Sequence, residues 1–225
     1  VLVNRLTGSR TIITRKMHTP PSLTYDQKLK LDDLAERLIA AEEPVTILID
    51  GHEAEISEYL IKKLPAARVV MDGGSLRASN IKLAAWTDYF VVSEHFARDY
   101  MSYRSLSSEA EIKAALIELN KICRGEAFIT LGEKGCAFLK SGMLQIVPSW
   151  LCNAVDTTGA GDVFHGAFTY GVHYSWHIDN IILFASLTAA ISIEKKGVRE
   201  SMPDLAVVHH SLNSYERNLK HYFEE

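Results

Sequence analysis

Between Val45 and Leu131 the chain alternates two kinds of segment, and this alternation limits the fold more than any other feature of the sequence. The runs "VTILID" (Val45–Asp50), "RVVMD" (Arg68–Asp72), "DYFVVS" (Asp88–Ser93) and "AFITL" (Ala127–Leu131) are short and almost wholly apolar. That is the pattern of strands buried on both faces. The intervening "EAEISEYLIKKL" (Glu53–Leu64) and the stretch from Ser108 to about Cys123 repeat apolar residues at helical spacing, the second opening on a Ser108-x-x-Glu111 capping-box pattern. Upstream, Leu31, Leu34, Ala35 and Leu38 share one helical face before Pro44 stops the helix. Strand and helix in alternation predict an α/β fold: a mostly parallel sheet flanked by helices on both faces. Downstream, "GCAFLK" and "GMLQIV" predict a hairpin around Ser141-Gly142. The end reads as helical from Asp162 to about His173, from about Ile178 to Lys195, and again as a packing helix in "SLNSYERNLKHYF". "GGSLRASN" reads as turn, and the opening "VLVNRLTGSRTIITRK" as strand-like alternation before a "TPPS" break.

The bulk chemistry excludes several classes of partner. Of 225 residues, 47% are apolar and 23% charged, which supports an ordinary buried core. A formal net charge of −4 argues against nucleic acid or an anionic membrane as partner, since both call for a basic surface. No apolar run reaches the roughly 18 residues of a membrane-spanning helix, and the opening lacks the pattern of a secretory leader. Cys123, Cys136 and Cys152 are odd in number and widely spaced, which suits buried, reduced thiols in a cytoplasmic protein better than a disulfide framework or zinc ribbon. His209 and His210 are adjacent and cannot share one helix face as metal ligands.

One stretch carries chemistry. "AVDTTGAGDVFHGAF" (Ala154–Phe168) sets Gly159-Ala160-Gly161 against Asp162 at the start of a helix. A helix N-terminus presents unpaired N–H groups and partial positive charge. Small residues let an anionic oxygen approach those amides closely. A carboxylate in the first turn, beside an anion-binding backbone, can take a hydroxyl proton while the amides stabilise a transferred phosphoryl group. No Walker A pattern is present, and Phe164 stands where a dinucleotide fingerprint needs its third glycine. The structural alternative is a helix start capped by Asp162, with glycines serving only the turn.

The stretch "DTTGAGDVFHGAFT" (Asp156–Thr169) resembles the second signature of the ribokinase-like, PfkB-type carbohydrate kinases. "ITLGEKG" (Ile129–Gly135) is similar to that family's nucleotide-contacting strand and turn, and "FASLTAAISIEKKGVRESMP" (Phe184–Pro203) to its adenine-side helix and glycine turn. "GSRTI" (Gly8–Ile12), "MDGGSLR" (Met71–Arg77) and "VVSEHFA" (Val91–Ala97) resemble segments of the sugar-kinase branch near ketohexokinase, so the likeness covers nearly the whole chain. It implies a ribokinase-like fold for residues 19–225, preceded over residues 1–18 by part of a β lid.

Carried onto this sequence, the resemblance implies Asp162 as catalytic base and the amides of Gly159, Ala160 and Gly161 as anion hole. It implies Thr130, Gly132, Gly135 and Gly197 at the nucleotide, with Arg10 and Arg77 facing phosphate, and Asp156 near the substrate or a monovalent cation. The implied reaction transfers a phosphoryl group from ATP, with Mg²⁺, to a small sugar or sugar-like alcohol, and the lid sheet implies a homodimer. Two departures stand out. Where the family often carries Asn-x-x-Glu, this chain has "SEHF", leaving Glu94 as the candidate near magnesium. The chain also opens where a member's lid strands would stand, without the preceding glycine-rich signature, and so reads as an incomplete chain. A nucleotide-binding module without catalysis, and a nucleoside or vitamin kinase of the same fold, remain as alternatives.

Overall fold

The computed structural model describes residues 22–212 and the backbone of two short stretches before them. Those stretches, β1 (Leu2–Val3) and β2 (Arg10–Thr11), pair antiparallel, and the remainder of the expected lid lies outside the described residues. The helix α1 (Tyr25–Ala40) opens on a capping box in which the Thr24 side chain accepts from the Gln27 amide while the Gln27 side chain accepts in return.

A six-stranded sheet follows in unbroken sequence order: β3 (Thr46–Ile49), β4 (Arg68–Gly73), β5 (Tyr89–Ser93), β6 (Glu126–Thr130), β7 (Cys136–Lys140) and β8 (Met143–Val147). The first four strands run parallel; β6–β7 and β7–β8 are antiparallel, the last pair closing the hairpin expected at Ser141-Gly142. The helices α2 (Ala54–Lys63), α3 (Ala78–Ala84), α4 (Glu94–Tyr100) and α5 (Glu109–Ile122) connect the parallel strands. The Ser108–Glu111 box opens α5 as expected.

Two-residue periodicity divides the core between the faces. Val69, Met71, Phe90, Val92, Ala127 and Ile129 point to one side and pack with Ile61, Leu83, Phe96, Leu116 and Leu119 of the connecting helices. Val70, Val91 and Phe128 point to the other. There they meet α6 (Ala160–His173) and α7 (Ile178–Ser192), which follow the hairpin. The fold is α/β with helices on both faces, as the alternation requires. Phe128, fully buried, stacks on Phe138 at 5.7 Å and meets Phe168 edge-on at 5.3 Å. Such a side chain contributes about 1.5–3 kcal/mol through burial alone.

Three local expectations change. The run Val45–Asp50 does not form a strand buried on both faces: β3 is an edge strand among the described residues, and Leu48, 42% exposed, lines an open cleft. "GGSLRASN" holds the start of α3 rather than turn throughout. The helix α4, for which the sequence pattern carries no expectation, opens on the Ser93 hydroxyl, which accepts from the Phe96 amide at 3.0 Å, and buries Phe96 and Ala97 against the core. The helix α7 ends at Ser192, three residues early, where the Ile193 carbonyl turns to accept from Val155 and Asp156. Of the expected C-terminal helix only residues up to 212 are described; 205–212 are helical, with Val208 buried. No helix among the described residues is long and apolar enough to cross a membrane.

Candidate active site

The turn before α6 is built on Gly159, whose φ of 76° lies in the left-handed region. A Cβ there would also stand 2.5 Å from Val198 Cγ1, so the turn accepts glycine alone on two counts. No side chain caps the helix, so Asp162 does not serve as the N-cap. The Ala160 amide donates to the Thr157 carbonyl at 3.3 Å, while the amides of Gly159, Gly161 and Asp162 make no hydrogen bond within the described residues. An anion approaching this turn therefore finds unpaired donors at a positive helix end.

On one side of the turn lies a cavity of about 590 Å³. Its floor is Thr130, Gly132 and Gly135 from the end of β6, and its walls include Thr157, Ala160, Gly161, Phe164 and the small α7 residues Ser186, Ala189 and Ala190. The loop 131–135 is held tight, the Leu131 amide donating to the Gly135 carbonyl at 2.7 Å. At Gly135, with φ of 104°, any Cβ would collide with the Val147 carbonyl oxygen. The small helix residues recur at i, i+3 and i+4, which makes one flat face of α7. Ser149, Trp150, Leu151 and Cys152 also line it.

On the other side lies a second cleft of about 450 Å³, lined by Asp50, Glu53, Asp72, Asp162 and His165 with Leu48, Ile49 and Ser57. Asp162 is exposed to this cleft, whereas Asp72 is half-buried at the end of β4. Burial pushes the Asp72 carboxyl above its ordinary range; the nearby Asp162 and Asp50 carboxylates add to that, against the pull of His165 and of the Gly74 amide. The boundary between cavity and cleft is one peptide: Gly161 lines the first and Asp162 the second.

The expected residues separate into groups. Thr130, Gly132, Gly135, Ala160, Gly161 and Asp162 converge around the turn, with Gly159 buried beneath it. Asp156 lies behind it, 8% exposed, accepting from the Thr158 amide at 3.0 Å and the Gly197 amide at 3.4 Å. It braces two backbone loops, and neither Asp156 nor Gly197 lines either cavity. Arg77, the residue before α3, and Glu94, the first residue of α4, also line neither cavity. Arg10 stands on β2, with its side chain outside the described residues. No group of three or more histidine, cysteine or acidic side chains converges to hold a metal ion among the described residues. The thiols are unpaired, but only Cys136 is fully buried; Cys123 is half-buried and Cys152 lines the larger cavity.

A family model for pfkB family carbohydrate kinases matches residues 75–205, more than half of the chain. The chain belongs to that family. It is 30% identical over 168 residues to the ribokinase of Lactococcus lactis, a match covering 75% of this chain and 53% of the relative. The chain spans about half the length of the curated relatives it matches. The ribokinase of Giardia lamblia superposes with a TM-score of 0.68 at 23% identity, covering 81% of this chain and 62% of that one. Arabidopsis thaliana ribokinase, solved with ribose and ATP, superposes at 0.67 with 20% identity, covering 85% and 60%. These likenesses show the ribokinase fold. Within this pfkB-family chain the strand ends at Asp50 and Asp72 lie where open α/β sheets place their ligands, as sequence reasoning expects, whereas Glu53 and His165 of the cleft are the residues it missed.

Proposed function

We propose that this chain carries the nucleotide-binding and catalytic part of an ATP-dependent sugar kinase. The observation that carries the reading is the single peptide that divides a cavity of mostly small and apolar residues from an acidic cleft at the N-terminus of α6. In this reading the adenine and ribose of ATP lie along the small face of α7 and the loop 132–135, and the terminal phosphate meets the amides of Gly159, Gly161 and Asp162. Mg²⁺ enters with the nucleotide as part of the substrate, carried chiefly on its phosphates. The acceptor alcohol lies in the cleft, where carboxylates accept hydrogen bonds from its hydroxyls.

Asp162 takes the proton of the attacking hydroxyl as its oxygen bonds to the γ-phosphorus. The bond from that phosphorus to the bridging oxygen breaks, its electron pair leaving with ADP. The unpaired amides stabilise the charge on the equatorial oxygens during transfer. Asp156 acts in this reading as a brace for the turn rather than as a substrate contact. Unpaired thiols fit a cytoplasmic setting, and dimerisation through the lid belongs to the same proposal.

The test is ADP release with ATP and Mg²⁺ against ketoses, ribose, phosphosugars and nucleosides. Acceptor-dependent release supports the kinase, and the acceptor that works decides between sugar and nucleoside. A second reading, a nucleotide-binding module without catalysis, is favoured by the position of Glu94, which lines neither cavity. ATP binding with no acceptor-dependent release from any member of the panel would establish it.

A further inference from the structure

His165 lies one turn after the anion-binding loop and is 3% exposed. Its Nδ1 is 2.6 Å from the Gly161 carbonyl oxygen and 3.3 Å from Asp72 Oδ2. Its Nε2 is 3.1 Å from the Val91 carbonyl oxygen of β5. A carbonyl oxygen only accepts, so each ring nitrogen must donate. In a neutral imidazole one nitrogen carries a lone pair, and here either choice would aim that lone pair at a carbonyl oxygen inside the protein. The protons follow from the acceptors on both sides of the ring. Every contact is satisfied only by the cation, and Asp72 stands beside it as the counter-charge.

The carbonyl that His165 grips belongs to the peptide whose N–H is that of Asp162. A hydrogen bond from a charged donor to one end of a peptide fixes its plane and polarises it, which strengthens the N–H at the other end as a donor. We propose that His165, with both ring nitrogens donating, is a positioning residue that aims and strengthens the Asp162 amide toward an anion above the turn. This rests on the kinase reading for the identity of that anion. The charged and titratable groups around the ring are Asp72 from β4, Asp162 from its own helix, and Asp50 and Glu53 across the cleft from the β3 end; β5 offers only the Val91 carbonyl. Phe164 meets the ring edge-on at 5.9 Å and adds no charge.

Two consequences separate this role from mere packing. The ring must show two protonated nitrogens at neutral pH, and affinity for polyphosphate must fall when pH rises far enough to remove one proton. The experiment is ¹⁵N NMR of the imidazole in the whole chain, with calorimetric titration of ATP and of tripolyphosphate across pH for the wild type and for His165→Asn. Asparagine can reach the Gly161 carbonyl but carries no charge. The result expected is protonated-type signals from both nitrogens, affinity in His165→Asn about 2- to 10-fold weaker at neutral pH, and no pH dependence left in the variant beyond that of the nucleotide. A ring with one unprotonated nitrogen at neutral pH overturns the inference without any variant having to fold. A charged ring with wild-type affinity and pH profile retained in His165→Asn overturns it as well; both outcomes leave the kinase reading standing. Failure of the wild type to bind ATP or tripolyphosphate at any pH overturns the kinase reading, and this inference with it.

Discussion

The two hollows beside α6 are of similar size and opposite chemistry. The larger is walled by glycine and alanine backbone, a flat helix face and Phe164, with Glu133 its lone acid; the smaller gathers Asp50, Glu53, Asp72 and Asp162. A polyphosphate can be held on the first side because donors are peptide N–H groups that impose no size or charge cost. The second side repels the same anion and suits hydroxyl groups, which donate to carboxylates. The contrast teaches that what is absent matters as much as what is present: among the described residues no lysine or arginine lines either hollow, so one side offers backbone donors and the other carboxylates.

The strongest attempt to break that contrast is Asp162→Asn, which keeps size and removes the base. Turnover should fall by about 10²- to 10⁴-fold while ATP affinity stays within a factor of about three, checked by coupled ADP assay and calorimetry. Turnover equal to wild type would take Asp162 out of the chemistry. Filling the larger hollow comes next. Ala190→Phe should weaken ATP binding about 10- to 100-fold, the equivalent of an overpacked site, with circular dichroism unchanged. If affinity survives, the nucleotide does not lie along α7.

Thiol labelling sharpens the comparison more gently. Burial pushes the Cys136 thiol up to about 12 and that of Cys123 to about 11, and Cys152 is raised by partial burial and the nearby Glu194 and Glu133 carboxylates. Iodoacetamide at neutral pH should modify all three slowly, Cys152 first, and ATP should slow Cys152 alone, as peptide mass spectrometry would read. Protection of Cys123 instead would place the ligand elsewhere.

The smallest effect concerns stability. Asp72 has a carboxyl raised in the folded state above its ordinary value of 3.8. The stability gained from its protonated form is complete below that value and is lost as pH rises through the folded one. The melting temperature of wild type relative to Asp72→Asn should therefore fall as pH rises from about 3 to 7. A difference moving the other way would mean that His165 outweighs burial.

Much of the architecture was legible because it follows from local patterns. The parallel strands, the capping box at Ser108 and the hairpin at Ser141-Gly142 each depend on residues close together in the chain. The half-exposure of β3 was not, since "VTILID" reads the same whether Leu48 is covered or lines an open cleft. The glycine-acid turn was legible for the same local reason as the hairpin. The cleft was legible only in part: the strand ends at Asp50 and Asp72 are where an open α/β sheet places ligands, but no spacing relates them to His165 until the sheet brings them together. Asp156 shows the converse limit: an acid within a signature says nothing by itself of whether it faces a ligand or, as here, accepts from two backbone amides.

Phe164 belongs to the wall of the larger cavity and also to the aromatic stack beneath it, 6.1 Å from Phe168. A guest that presses on that ring presses on the hydrophobic interior of the molecule. Occupancy should accordingly be felt as heat resistance: saturating nucleotide favours the native ensemble by mass action, and slower exchange of the α6 and α7 amides would trace how far that tightening spreads from the ring.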